Sequence, residues 1–167
     1  MGSVAEELFR SLPCPVLSVG PHLANRLKAQ AEVKQILFPT DLSQESQAVF
    51  PYLALIASEY KAHLQLLHVL PVEKATNPEA KALAEPLRKQ MEYAFSPYVP
   101  PMCSAEFVID SGDLSERILA HAHASQADLI GLGVRKAAEA TTHLCDTAAY
   151  KVVVGAECPV LTARANS

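Results

Sequence analysis

The chain has 167 residues, half of them apolar, with 14 basic against 18 acidic side chains and a net charge of −4. That is enough for about one domain with a sizeable core, and the acidic balance gives no support for a clustered cationic grip on nucleic acid or on an anionic membrane. No apolar run reaches the roughly 18 residues of a membrane span; the acidic start, Met1 to Glu7, lacks the basic region of a secretory leader, so a cytoplasmic protein is expected.

In chain order, residues 2–19 read as a short helix, a turn at Cys14-Pro15 and a strand from Val16 to Val19. Gly20-Pro21-His22 opens a linker that runs to residue 32. Val33 to Pro39 is a β-rich apolar run closed by Pro39-Thr40-Asp41. Ser43 is a good N-cap, and Ala48, Tyr52, Leu55, Ile56 and Tyr60 have helical spacing. Pro51 is a misfit there: it kinks the helix or moves its start later. His63 to Leu70 is a second strand, stopped by Pro71. Residues 77–95 predict a helix with polar faces, Pro78 in its first turn and a bend at Pro86. Ala105 to Ile109 is a third strand. Gly112-Asp113 leads into a helix with Leu114, Ile118, Leu119 and Ala122 on one face. Asp128 to Gly133 is a fourth strand running into a glycine turn. Residues 146–154 form a last helix, and Pro159 to Ala163 a last strand.

Mostly apolar strands alternating with helices imply an α/β fold, a five-stranded, mostly parallel sheet covered on both faces. Right-handed crossovers make it doubly wound and Rossmann-like, with the N-terminal helix and strand as an addition. Ligands of such sheets bind beyond the carboxyl ends of the strands, at the topological switch point. Here that edge carries Thr40-Asp41, Leu70, Gly112-Asp113 and Gly131 to Val134.

Four cysteines, Cys14, Cys103, Cys145 and Cys158, are too scattered for a disulfide scaffold and read as buried thiols. One detail stands out. Cys14-Pro15-Val16-Leu17 recurs 144 positions later as Cys158-Pro159-Val160-Leu161. At the same offset Ser3 meets Thr147, Ala5 meets Ala149, and Leu8-Phe9 meets Val152-Val153. The expectation is a tandem array in which 1–19 is the tail of a preceding repeat, 20–32 a linker and 33–167 a complete domain.

At these residues the chain resembles the universal stress protein family. The resemblance rests on Ile36 to Ser43, Leu66-Leu67-His68-Val69, Gly112-Asp113 with Ile118-Leu119, Ala127 to Gly133, and Cys158-Pro159-Val160-Leu161. It implies the stress-family sheet and a stress-response role. It also implies a last strand that pairs with its equivalent in a partner domain; Val16–Val19 is expected to pair antiparallel with a last strand, Val160–Ala163, within the chain or across a homodimer. ATP-binding members carry Gly, two residues, Gly, nine residues, then Gly-Ser or Gly-Thr. Glycines there let the backbone approach phosphates, and helix N-terminal amides hold the anion. Started at Gly131, the pattern meets Val134 at its second glycine and Asp146-Thr147 at its last pair, with a longer span between. Asp146 puts a negative charge where phosphates would sit. At 4 Å and an effective dielectric near 20, like charges cost about 4 kcal/mol. A path through Gly133 remains as an alternative. Asp41 matches the aspartate that meets the adenine-ribose end. The candidate nucleotide residues are therefore Thr40, Asp41, Leu70, Gly131, Gly133 and Thr147, in a site expected to be degenerate. No cofactor is expected, with ATP as the alternative.

Other constellations read as structure. His121 and His123 are two apart on a helix and face different ways. His143, Cys145 and Asp146 lack metal-ligand spacing. Asp110 and Asp113 read as loop caps, and His68 as a core or edge histidine. Lys81, Arg88 and Lys89 read as a solvated face. With no hydrolase elbow and no P-loop, no enzymatic activity is expected.

Overall fold

The structure is a computed structural model that describes residues 12, 14–20, 23, 32–71, 78–134 and 148–165. Among the described residues six strands form one sheet: β1 (Val16–Ser18), β2 (Gln35–Pro39), β3 (His63–Leu70), β4 (Ala105–Ser111), β5 (Leu129–Val134) and β6 (Val160–Arg164). The α-helices among the described residues are α1 (Gln44–Gln47), α2 (Phe50–Tyr60), α3 (Pro78–Phe95), α4 (Leu114–Ala124) and α5 (Ala148–Gly155). The strand order is β1-β6-β5-β2-β3-β4. Strands β2 to β6 run parallel, and β1 lies antiparallel on β6, with Leu17 opposite Leu161. The chain winds from β2 outward to β4, then returns to β5 and β6 on the other side. The switch point therefore lies between β2 and β5.

Strand β2 is buried at every residue from Ile36 to Pro39 because both faces are covered, which is why it reads as a continuous apolar run. On one face Phe38, Phe50 and Phe95 meet with ring centroids 4.8–5.3 Å apart, beside Leu53, Leu64, Leu66 and Met91. On the other, Leu37, Leu67, Ile118, Ile130, Val152 and Val160 form the second core. Alternation along each strand deals successive residues to the two cores. At the amino edge, the Asp128 carboxylate accepts from the backbone of Lys34 and Gln35 at 2.8 and 3.0 Å, tying β5 to the start of β2.

Pro51, as expected, moves the start of the helix later: after the short α1 the chain restarts as α2 at Phe50, with Pro51 in the first turn, where a proline's missing N–H costs nothing. Pro86 lies inside α3. Several boundaries depart from the sequence reading. Strand β4 runs on to Ser111, so Asp110 is a strand residue and not a loop cap. Strand β5 runs through Val134, paired to Arg164, so Gly131 and Gly133 lie within the strand and not in a turn after it. Of the described cysteines Cys158 is buried and Cys103 half-buried, but Cys14 is exposed. The predicted helix before residue 12, most of the linker, and the segment 135–147 with His143, Cys145, Asp146 and Thr147 lie outside the described residues.

Candidate functional site

The carboxyl edge is organised by the turn that leaves β2. Thr40 is buried, and its Oγ1 is 2.9 Å from the Ser46 hydroxyl and accepts from the Leu42 amide at 3.0 Å. Asp41 accepts from the amide and hydroxyl of Ser43. Ser43 in turn caps α1, accepting from the Ser46 amide at 3.1 Å. Leu42 takes a left-handed backbone, φ 64°, costing roughly 1–2 kcal/mol, while its side chain packs against the phenylalanine core. His68 on β3 completes the turn: its Nδ1 lies 2.8 Å from the Thr40 carbonyl, which fixes the ring as Nδ1–H donor.

The turn delivers α1 onto β5. A Cβ added to Gly133 would lie 2.0 Å from the Glu45 carbonyl oxygen and 2.3 Å from Ser46 Cα, so only glycine admits this backbone contact. Gly131, two residues earlier on the same face, is covered by Leu53; a Cβ there would lie 2.3 Å from Leu53 Cδ1. The structure thus brings Thr40, Asp41 and Gly133 together around α1, and seats Gly131 lower, under α2. Leu70 is buried on the far side, where its carbonyl accepts from Gly112 at 3.0 Å. Thr147 lies outside the described residues. Ser46 carries no sequence signal: its part depends on facing Thr40 and Gly133 at once. His68 is legible only as an edge histidine, because its partner is a carbonyl 28 positions away.

Beside α1 lies an open depression of about 450 Å³ lined by Gln44, Gln47, Ala48, Tyr52, Arg164 and Ala165. Farther along the edge, Asp113 caps α4 through the Glu116 amide at 3.0 Å. Hydrogen bonds from the Ser115 hydroxyl and the Glu116 amide hold its carboxyl below the usual range. Asp110 contacts Arg117 Nε at 2.7 Å and His121 Nε2 at 2.8 Å. Burial pushes the Asp110 carboxyl up, but the Ser111 amide, His121 and Arg117 together outweigh it and hold it low. Asp110 and Asp113 are therefore separately engaged and do not act as a pair. His121 faces Asp110 and His123 faces Glu157, on different sides of α4. Arg88 pairs with Glu85 and Glu92 on the outer face of α3.

A family model described as Universal stress protein family matches residues 32–164. The chain belongs to the universal stress protein family. Solved structures agree on the fold. A universal stress protein from Archaeoglobus fulgidus DSM 4304 superposes with a TM-score of 0.74 at 20% identity, over 100% of this chain and 55% of that one. This chain thus spans little more than half the length of that relative. The universal stress protein UspA from Lactobacillus plantarum gives 0.64 at 22% identity, over 81% of this chain and 100% of that one. A universal stress protein in complex with cAMP gives 0.63 at 15%, over 80% and 98%. No curated protein sequence matches the chain. Among the described residues no helix of this universal stress protein is long and apolar enough to cross a membrane.

Proposed function

We propose that this universal stress protein domain is a cytoplasmic, non-enzymatic stress-response regulator that works through protein contacts and binds nucleotide poorly. The observation that carries the reading is the seat of α1. Ser46 is bonded to Thr40 and lies against Gly133. The chain's own helix thus spans the carboxyl ends of β2 and β5, where such sheets take their ligands. The sequence supports the same reading. Counted from Gly133, the phosphate pattern keeps its spacing: two residues, Lys136, nine residues, then Asp146-Thr147. Its later glycines have become a lysine and an aspartate. The contact surface in this reading is the β1–β6 edge, a homodimer or a preceding repeat pairing through Val16–Val19 and Val160–Ala163. Strand β1 takes up the β6 edge within the chain, so a partner pairs along the outer side of β1, and the 57% exposure of Leu17 there supports it. So does the Archaeoglobus relative, on which this chain, β1 included, covers only 55% of the length.

A second reading, a nucleotide binder with an altered loop and weak ATPase activity, draws on three features. Lys136 adds a cation to the pattern, the depression beside Tyr52 and Arg164 is open, and a fold neighbour holds cAMP. Titrating a fluorescent ATP analogue, and separately cAMP, into the protein distinguishes the two. The first reading expects no saturable binding at micromolar ligand. A micromolar dissociation constant for either nucleotide overturns it, and an ATP hydrolysis assay then tests for turnover.

A further inference from the structure

The sheet has two edges, and β1 caps only one of them. Strand β1 lies along β6 at one end of the strand order, while β4 stands last at the other. Among the described residues nothing pairs with the outer side of β4, and none of its seven residues is buried. The Leu64 amide donates to the Ser104 carbonyl at 2.9 Å, and the Gly112 amide to the Leu70 carbonyl at 3.0 Å. Even-numbered residues therefore turn their backbone groups to β3, and Ala105, Phe107, Ile109 and Ser111 turn theirs outward. Side chains alternate between the faces: Ala105, Phe107 and Ile109 pack on the phenylalanine core, and Val108 on the second core. The Val108 face also carries two acids, each with a basic side chain of its own beside it. His63 Nε2 is 3.9 Å from Glu106 Oε2, and Arg117 Nη2 is 2.7 Å from Asp110 Oδ2.

We propose that β4 pairs antiparallel with β4 of a second copy of this chain, about a two-fold axis at Val108. The strand reads Ala-Glu-Phe-Val-Ile-Asp-Ser, and its chemistry is the same in both directions from the centre. Phe107 and Ile109 are apolar, Glu106 and Asp110 acidic, Ala105 and Ser111 small. A two-fold contact sets each residue against its mirror position. Phe107 of one copy then meets Ile109 of the other, a cross-strand aromatic and β-branched pair that forms twice. Ala105 meets Ser111 in the same way, so the register satisfies every outward N–H and C=O of the strand. Glu106 meets Asp110, and like charges directly opposite need compensation. Arg117 supplies it: Nε and Nη2 both hold Asp110, which leaves Nη1 for the Glu106 carboxylate of the other copy. A two-fold axis at Phe107 sets Glu106 against Val108 and takes it away from Arg117, which favours the axis at Val108. The pairing is independent of the β1–β6 edge, which lies at the other end of the sheet.

The test puts a thiol on the axis of the full chain. Position 108 faces itself at a non-hydrogen-bonded site, where Cα atoms lie about 4.5 Å apart, within the reach of a disulfide. Val108→Cys is expected to link two copies under mild oxidation, with the joint mapped to position 108 in the mass spectrum of a digest. Ser104→Cys, exposed and off the axis, is expected to link far less; equal linking at both positions, or none at 108, overturns the axis. Light scattering gives a second readout. Arg117→Glu is expected to halve the mass of the assembly at the same concentration, and Glu106→Lys combined with Arg117→Glu to restore it. An unchanged mass in Arg117→Glu overturns the proposal. So does a wild type that stays a single chain at high concentration, which leaves the edge to an extended segment of another protein. If Arg117→Glu loses its fold by circular dichroism, the linkage at position 108 decides alone.

Discussion

At the scale of single residues, Gly133 and Gly131 differ in what stands over them. Gly133 meets backbone atoms of α1, which can yield only if the whole turn from Thr40 moves. Gly131 meets the side chain of Leu53, which is fully buried but can shift more readily than backbone. Gly133→Ala is therefore expected to cost about 3 kcal/mol and Gly131→Ala nearer 1 kcal/mol, read from urea unfolding midpoints at constant slope. Asp110 gives a prediction in pH. Its carboxyl is held below its usual pKa in the fold, so its contribution is present above the unfolded value near 4 and is lost as pH falls through the folded value. Asp110→Asn is expected to lower stability at pH 7 by about 1–2 kcal/mol. The deficit should shrink steadily as the pH is lowered from about 4. A deficit that persists unchanged at pH 2 would show that packing, not charge, is what the substitution removes.

At the scale of elements, the two helical prolines behave oppositely. Pro51 occupies the first turn of α2 and obstructs no hydrogen bond. Pro86 is exposed in the interior of α3, where it removes one rung of the ladder. Pro86→Ala is expected to raise the stability by roughly 1–3 kcal/mol, measured as a shift in thermal midpoint, because no buried contact is lost in exchange. The same scale explains why strand ends were harder to read than strand centres. Ile36 to Phe38 and Leu64 to Leu67 are legible because both cores bury them. The extensions of β4 to Ser111 and of β5 to Val134 are not, since polar and glycine residues there are held by neighbouring strands.

For the whole molecule, β1 covers the edge of β6 that would otherwise offer unpaired backbone groups to another chain. Deleting residues 1–20 is expected to shift the mass by size-exclusion light scattering or to raise aggregation. Unchanged mass and solubility would remove the edge from the assembly. The recurring Cys-Pro-Val-Leu gives this pairing its sequence trace, since Val16-Leu17 and Val160-Leu161 lie on neighbouring strands.

The sequence by itself determined the alternation of strands and helices and the parallel sheet, because apolar periodicity and turn residues act locally. It also marked Thr40 and Asp41 as the turn that ends β2. Only the tertiary structure decided what that turn does. Ser46 meets both Thr40 and Gly133 because the crossover from β2 lays α1 across β5, a contact between residues almost 90 positions apart. His63 meets Glu106 for the same reason, through the register of β3 on β4. Pairings of that range leave no pattern along a single chain, since each partner alone looks like an ordinary polar residue at the end of a strand.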